Sequence, residues 1–340
     1  MNEPRSLQEA ILYFSDPANC RKYLIARRWP DGVTCPRCGN KNVLFLEKYN
    51  RWHCREKHDA PQFTLKTGTI FEESPIGLDK WLTAMWMAVN CKNGVSSWEI
   101  HRALKVTQKT AWFMLQRIRL ALQETPMTKL GGNGAPVEID ETFIGGKVRN
   151  MHKSRKLRIA RERTNVRNAD AVVSERFWGK VPVIGMLERG NDLRGSRVRA
   201  VVAQSRRQPV VQQIVRNCVE PGSETHTDEF VGYHGLAPEY IHEIVNHLEG
   251  YVREHVTTNG IENFWSLFKR SLNGTYVSVE PFHLFRYADE QMFRFNNRAT
   301  KDNPLNDADR FDLAVRQIVG KRLMYAELTG KTQVEKSEAF

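Results

Sequence analysis

Apolar residues recur at two different spacings along this chain, and the spacing changes near the middle. Between Leu78 and Gln123 they follow a helical period, with Trp81, Met85 and Val89 on one stripe. From residue 136 onward, short runs are rich in apolar and β-branched residues and end at charged or glycine-rich turns, as strands do. The pattern predicts a helical segment followed by a domain that mixes strands with helices.

The second half of the chain contains its predicted elements in a definite order. Three strands come first, then a helix, two further strands and two helices, which favours an α/β fold with a mixed sheet flanked by helices. The strands are VEIDETFIGG, VPVIGMLERG, RVRAVVAQS, ETHTDEF and YIHEIVNH, and the helices are PVVQQIVRNCV, the segment around Glu262, and roughly residues 281–297.

Breaks in these patterns predict five regions. Pro126 and the glycines of LGGNGAP indicate a linker between the helical segment and the mixed domain. The regions are an N-terminal helical segment (1–30), a small cysteine-rich region (31–75), a helical segment (76–128), the mixed domain (135–300) with a basic insertion (147–180), and a C-terminal tail (301–340).

The cysteine-rich region has the spacing of a zinc ribbon. Cys35 and Cys38 are separated by two residues, which lets both thiolates bind one tetrahedral zinc ion, and Cys54 would be the third ligand. Both His58 and His53 are candidates for the fourth. We favour His58, because His53 is adjacent to Cys54 and would point to the opposite face of a strand. A closed Cys3His site of this kind is structural.

The helical segment has the layout of a helix-turn-helix, GVSSWEIHRALKVTQKTAWFMLQRIRLAL. Ser97 is the expected cap of the first helix, and a break is expected at residues 105–107. The second helix would open with Gln108 and Lys109, where contacts to the major groove are usual. Arg117 and Arg119 lie further along this helix and are candidates for phosphate contacts.

The charge of the chain favours a polyanionic partner. Lys and Arg number 51 against 39 Asp and Glu, a net charge of +12. The insertion at 147–180 carries eleven basic residues and three acids, so we expect a solvated arm in which Arg155 and Lys156 contact DNA. No run of about 18 apolar residues and no signal-peptide pattern occurs, which favours a cytoplasmic, nucleoid-associated protein without membrane contact.

Three carboxylates have the settings of a metal site built from two strands and a helix. Asp140 ends an apolar run, Asp228 lies in the predicted strand ETHTDEF just before the turn-prone VGYHG, and Glu262 lies in a predicted helix. Oxygen ligands from distant positions are typical of hard divalent cations. Glu141 is an alternative to Asp140, but strand alternation predicts that it points to the opposite face. Lys269 is two helical turns after Glu262, so one exposed ridge could present both a metal ligand and a phosphate contact.

These strings resemble the DDE transposases of bacterial insertion sequences, in the subgroup with an N-terminal zinc ribbon. The likeness extends from CPRCG to FRFNNR, and its most specific strings are VEIDETFIGGK, HTDEF and NGIENFWSLFKRSLNGTY. It implies an RNase H-like catalytic domain with Asp140, Asp228 and Glu262 as the acidic triad and Lys269 as the lysine of the downstream helix. One departure is that His58 stands where the family's ribbon usually has its last cysteine.

The resemblance also implies a function. A transposase of this kind would bind two Mg²⁺ (or Mn²⁺) ions at its acids and a structural Zn²⁺ at its ribbon, cut DNA at the ends of its element and join those ends to target DNA. The implied partners are double-stranded DNA, as terminal inverted repeats and as target, and other copies of the chain, at least as a dimer. Two alternatives stay open at this point: a non-catalytic DNA-binding regulator, and an RNase H-like nuclease without strand transfer.

Overall fold

The computed structural model divides the chain into two compact units, each with a hydrophobic core. The first unit comprises Met1–Thr125, Gly274–Val277 and Asp289–Phe340, and the second comprises Pro126–Asn273 and Ser278–Ala288. The residues that the structure describes are 2–124, 128–132, 134–146, 151–154, 156–157, 179–190, 195–228, 230–233, 235–237, 239–244, 257–301 and 303–330.

The described elements are numbered here in chain order. The helices are α1 (Leu7–Phe14), α2 (Pro17–Arg28), α3 (Leu78–Asn90), α4 (Ser97–Leu104), α5 (Gln108–Leu122), α6 (Gln208–Cys218), α7 (Asn259–Arg270), α8 (Leu284–Asn296), α9 (Asp307–Arg316) and α10 (Tyr325–Leu328). The strands are β1 (Val43–Leu46), β2 (Arg51–Cys54), β3 (Gln62–Phe63), β4 (Val137–Ile144), β5 (Val181–Glu188), β6 (Arg197–Val202), β7 (Glu224–Thr227) and β8 (Ile241–Ile244).

The first unit joins three regions that the sequence analysis separated. Its antiparallel sheet β1-β2-β3 and the helices α1 to α5 contribute to one continuous hydrophobic core. Trp81, Met85 and Val89 of α3 are all buried in this core, as the helical stripe predicts.

The C-terminal region is not the tail that we expected from residue 301. It contains α9, and Phe311 of that helix lies fully buried in the core of the first unit. The centre of the Phe311 ring lies 4.9 Å from the ring centre of Trp86, 5.6 Å from that of Tyr23 and 5.7 Å from that of Phe14. Only one face of α9 is buried, and it consists of Phe311, Ala314 and Val315.

The second unit is built on a five-stranded mixed sheet in the order β6-β5-β4-β7-β8. Strand β5 pairs antiparallel with both β4 and β6, whereas β7 pairs in parallel with both β4 and β8. All five strands match runs predicted from the sequence. The RNase H-like mixed sheet is therefore confirmed.

Helices cover both faces of this sheet because the residues of β4 alternate between them. Val137 and Ile139 point into a core with Val211 and Val215 of α6. The residues between and beyond them, at positions 138 and 140, contact α7 on the other face. Among the described residues, no helix is both long enough and apolar enough to cross a membrane.

Candidate active site and metal centres

Four predicted zinc ligands converge in the first unit. Ligand atoms of Cys35, Cys38, Cys54 and His58 all lie within 4.8 Å of one another. Cys35 Sγ lies 3.5 Å from His58 Nε2, and Cys38 Sγ lies 3.6 Å from Cys54 Sγ. His53 is not part of this cluster, because neighbouring residues of β2 alternate and Cys54 occupies the inward position.

The chemistry of this cluster fits a structural zinc ion. His58 Nδ1 lies 2.8 Å from the carbonyl oxygen of Asp59, a partner that would hold the proton there and leave Nε2 for a metal. Burial opposes ionisation of Cys35, but the backbone N–H groups of Cys38 and Arg37 lower its pKa to about 7. Four protein ligands close a tetrahedral site, so the cluster supports structural Zn²⁺ without a position for a substrate.

Two of the three predicted acids meet in the second unit. Strands β4 and β7 are parallel with Ile139 opposite Thr227, so the next residues, Asp140 and Asp228, stand side by side. Carboxylate oxygens of Asp140, Glu141 and Asp228 all lie within 4.8 Å of one another. Oxygen donors at this spacing fit a hard divalent cation.

The surroundings of Asp140 resist its ionisation. Burial, followed by the charges of Glu141 and Asp228, raises the pKa of Asp140 to about 7. Trp265 Nε1 donates a 2.9 Å hydrogen bond to Asp140 Oδ2, which lowers the pKa in part. A divalent cation at this cluster would favour the ionised carboxylate, because opposite charge stabilises the charged form.

Glu141 is a site residue that strand alternation led us to set aside. Alternation fixes only the direction of its Cβ, and the longer side chain still reaches the cluster. Its Oε1 accepts a 2.5 Å hydrogen bond from Arg206 Nη2, and its Oε2 accepts one of 3.0 Å from the Tyr233 hydroxyl. Burial and the charge of Asp228 raise the pKa of Glu141, against the lowering effect of Arg206.

Glu262 lies apart from these acids. It is exposed in the first turn of α7, where its Oε1 accepts a 3.2 Å hydrogen bond from Thr258 Oγ1. Lys269, two turns further along the helix, is also exposed, as the helical arc predicts. Among the described residues the acidic cluster does not include Glu262, so its role as the third metal ligand stays a prediction.

Trp265 is buried on the side of α7 that we expected to be exposed. Helical periodicity places Trp265 on the same side as Glu262 and Lys269, but only 4% of Trp265 is exposed. The indole lies against β5 at Gly185, where an added Cβ would lie 2.4 Å from the ring. The missing side chain on β5 makes room for the tryptophan, and the ring nitrogen thereby reaches Asp140.

The helix-turn-helix consists of α4 and α5. Ser96, not Ser97, caps α4: its Oγ accepts from the Glu99 backbone N–H at 3.3 Å, and Glu99 Oε2 accepts from the Ser96 N–H at 2.6 Å. The turn passes through Lys105 with φ of 49°, and Thr107 caps α5. The predicted break is therefore present.

The first turn of α5 contains two predicted DNA contacts. Lys109 is exposed, with its Nζ 4.6 Å from the centre of the Tyr325 ring. Gln108 is half-buried, and its Nε2 donates a 2.9 Å hydrogen bond to Ser97 Oγ. Both residues stay candidates for DNA contacts.

Arg117 is not available for the phosphate contact that we predicted. It is 6% exposed and donates to the backbone carbonyls of Leu323 and Ile70, each at 3.0 Å, and of Glu72 at 2.8 Å. Most of α5 beyond its first turn is buried in the first unit. The Arg117 guanidinium therefore stabilises the fold through its hydrogen bonds to these carbonyls.

Only part of the basic insertion is described. Lys156 is half-buried, and Arg155 lies outside the described residues. The predictions for these two residues therefore stay predictions.

Comparison with known families agrees with this arrangement of ribbon, helices and acidic sheet. The protein is a transposase. It belongs to the IS1595 family: the ISXO2-like transposase domain matches residues 129–296, and the transposase zinc-ribbon domain matches residues 15–56. These matches confirm the family that the sequence strings suggested.

Two relatives point the same way. A protein in transposable element ISH50 of Halobacterium salinarum is 27% identical over 252 residues, which cover 72% of this chain and 80% of the relative. A transposase-like protein of Haemophilus influenzae is 33% identical over 106 residues, 31% of this chain and 85% of the relative.

Proposed function

We propose that this transposase cleaves DNA at the ends of its element and transfers those ends into target DNA. The observation that carries the proposal is the meeting of Asp140 and Asp228 at adjacent positions of parallel strands, with carboxylate oxygens within 4.8 Å. In this proposal Glu262 supplies the third acidic ligand from the exposed first turn of α7.

Asp140, Asp228 and Glu262 would hold two Mg²⁺ ions, with Mn²⁺ as a substitute. Bound there, the ions would supply Lewis-acid activation of an attacking oxygen and stabilisation of a leaving one. The residues around them orient the ligands. Trp265 donates to Asp140 Oδ2 at 2.9 Å, and the backbone N–H of Phe230 donates to Asp228 Oδ1 at 3.1 Å.

The proposed reaction consists of two displacements at phosphorus. In the first, a water oxygen forms a bond to the phosphorus at the element end, the bond from phosphorus to O3′ breaks, and a free 3′-hydroxyl remains. In the second, that hydroxyl forms a bond to a target phosphorus, and the target strand leaves as a new 3′-hydroxyl. Neither step requires a covalent bond to the protein.

Basic residues would hold the DNA. Lys269 is exposed on the same helix as Glu262, so its ammonium could bind a phosphate near the cleaved bond. Lys109 and Gln108 would meet the inverted repeat at the first turn of α5, and Lys156 with Arg155 would contact flanking or target DNA. We propose that at least two copies of the chain act on paired ends.

Asp228→Asn tests this proposal. The substitution keeps the shape of the side chain and removes its charge, so cleavage of a duplex containing the element end should fall by roughly a thousandfold or more. Binding of the same duplex should change little, because the metal site is not what holds the DNA. Asp31→Asn, at an exposed acid of the first unit, is the matched control and should leave both unchanged.

Supplying pre-cut ends separates the alternative functions. Joining to a target plasmid supports transposition, whereas cleavage without joining supports a nuclease. Binding with neither reaction supports a regulator. Cleavage that survives Asp228→Asn would contradict the assignment of the site.

A further inference from the structure

We propose that Glu138 and Glu141, which flank Asp140 on β4, are positioning residues that fix the other two acids of the site. Glu138 would fix α7 and thus Glu262, and Glu141 would fix the turn that carries Asp228. The inference rests on the proposed function, and it assigns a separate task to each of the three acids in the string EIDE.

Glu138 connects β4 to the N-terminus of α7. It is 1% exposed, and its Oε2 accepts a 2.8 Å hydrogen bond from the backbone N–H of Ile261, one residue before Glu262. Its Oε1 accepts a 2.7 Å bond from Arg189 Nε, and Arg189 Nη2 also donates to the carbonyl of Thr257 at 2.8 Å. A carboxylate at this end of a helix is stabilised by the unpaired N–H groups and the helix dipole.

Two glycines leave room for this connection. A Cβ at Gly260 would lie 2.9 Å from Glu138 Oε2, so any side chain there would push the carboxylate off the helix. Gly185 admits Trp265, whose Nε1 reaches Asp140 one helical turn beyond the Glu138 contact. Helix α7 is therefore held to β4 at two points, and Glu262 lies between them in sequence.

Glu141 connects β4 to the turn after β7. The Tyr233 hydroxyl donates to Glu141 Oε2 at 3.0 Å, and the Tyr233 ring is fully buried. Arg206 pairs with Glu141 Oε1 at 2.5 Å, and its guanidinium lies 4.1 Å from the centre of the Phe230 ring. Phe230 in turn donates its backbone N–H to Asp228 Oδ1. The turn with Asp228 is thus held at both of its ends.

Both glutamates have the contacts of positioning residues rather than of metal ligands. Each uses both carboxylate oxygens for protein donors, and each pairs with an arginine. The side chains of Glu138 and Glu141 are only 1% and 7% exposed. An arginine on the same carboxylate disfavours a second cation there, because like charges repel.

Mn²⁺ binding to the full chain, followed by electron paramagnetic resonance without DNA, tests the role of Glu141. Glu141→Gln keeps the shape and an acceptor for Tyr233 but weakens the contact with Arg206. We expect about a 10- to 100-fold weaker affinity for Mn²⁺, the usual effect of losing a residue that orients a ligand. Loss of binding as complete as in Asp140→Asn would make Glu141 a ligand, and an unchanged affinity would leave it no role; either result overturns the proposal.

A double-mutant cycle tests Glu138. If Glu138 acts through Glu262, Glu138→Gln should weaken Mn²⁺ binding about tenfold in the unaltered chain and have no further effect in Glu262→Gln. A purely structural role would weaken binding equally in both backgrounds, and that result would overturn the proposal for Glu138.

Two controls separate this inference from the proposed function. Glu239→Gln breaks an exposed ion pair with Arg216 in the same unit, and it should leave Mn²⁺ binding unchanged. Mn²⁺ binding that Asp140→Asn and Asp228→Asn leave intact would contradict the proposed site itself. If Asp140→Asn and Asp228→Asn abolish Mn²⁺ binding but Glu138→Gln and Glu141→Gln do not weaken it, only the positioning role of the two glutamates is contradicted.

Discussion

Two carboxylates, one in each compact unit, lie in opposite electrostatic settings. Glu290 in the first unit is 1% exposed and pairs with Arg119 and Arg294. Burial alone would raise the pKa of Glu290, but the two guanidinium groups lower it below its usual range. In the second unit, burial and then the charges of Glu141 and Asp228 raise the pKa of Asp140 to about 7.

This comparison shows two uses of a buried carboxylate. Glu290 stabilises the fold, whereas Asp140 is available for chemistry. Glu290 also accepts a hydrogen bond from the Tyr276 hydroxyl, so its contacts are all within the protein. Arg119, which the sequence suggested for phosphate binding, is 1% exposed and belongs to this network. Like charges held together in a largely buried setting destabilise a fold, and they are typical of sites that bind a cation.

Glu290→Gln should have the largest effect on stability. The variant keeps the shape of the side chain but leaves Arg119 and Arg294 buried without a counter-charge, so the free energy of unfolding should fall by about 3–5 kcal/mol. Denaturant unfolding followed by circular dichroism measures this change. Glu239→Gln, which removes an exposed partner of Arg216, should leave the midpoint unchanged. Similar midpoints for the two variants would show that the buried network is not what holds this unit.

Asp140→Asn should raise the free energy of unfolding, whereas Glu290→Gln should lower it. A carboxyl whose pKa rises from 3.8 to about 7 on folding contributes stability below pH 4 that is lost as the pH rises through 7. Asparagine does not ionise and avoids that loss, so in metal-free buffer the variant should gain about 2 kcal/mol over the unaltered chain at pH 8.

The gain should shrink as the pH falls from 8 to 5, because Asp140 itself is then increasingly protonated. Thermal unfolding at several pH values with a chelator present measures the trend. If Asp140→Asn is less stable than the unaltered chain at pH 8, ionised Asp140 does not destabilise the fold and the prediction is wrong.

Mn²⁺ should have the smallest of the three effects on the free energy of unfolding. By supplying a positive charge to Asp140, it should also reduce the difference between Asp140 and Glu290. At ten times its dissociation constant, a ligand bound only by the folded state adds about 1.4 kcal/mol to the free energy of unfolding. We expect that gain in the unaltered chain at pH 8, less at pH 6 because protons compete for Asp140, and none in Asp140→Asn. Equal stabilisation of both chains would mean that the ion binds elsewhere.

Local pattern predicted much of this protein correctly. The order of strands and helices in the second unit follows from runs of apolar residues, since each run depends only on its near neighbours. The Cys35 and Cys38 pair with Cys54 and His58 could be predicted for the same reason, because the ligands are close in sequence and the strand period selects among them.

The site was predicted only in part. Asp140 was predicted from its place at the end of an apolar run, and Asp228 from its place in the string ETHTDEF together with the family resemblance. The parallel pairing of β4 and β7 brings the two acids together. Glu138 gave no signal in the sequence, and Glu141 was considered only as an alternative to Asp140 and then set aside. Their roles depend on Arg189 and Arg206, which are 51 and 65 positions away.

The sequence by itself determined the strands and helices of the second unit, the zinc-binding spacing, the basic charge and the strings of the family. Each of these depends on composition or on short-range order. Only the tertiary structure decided which polar side chains are buried: Arg117 against backbone carbonyls, Trp265 over Gly185, and α9 within the first core. The physical reason is that a side chain is buried by the residues packed against it. Those residues are distant in the sequence, so a local hydrophobic pattern does not reveal them.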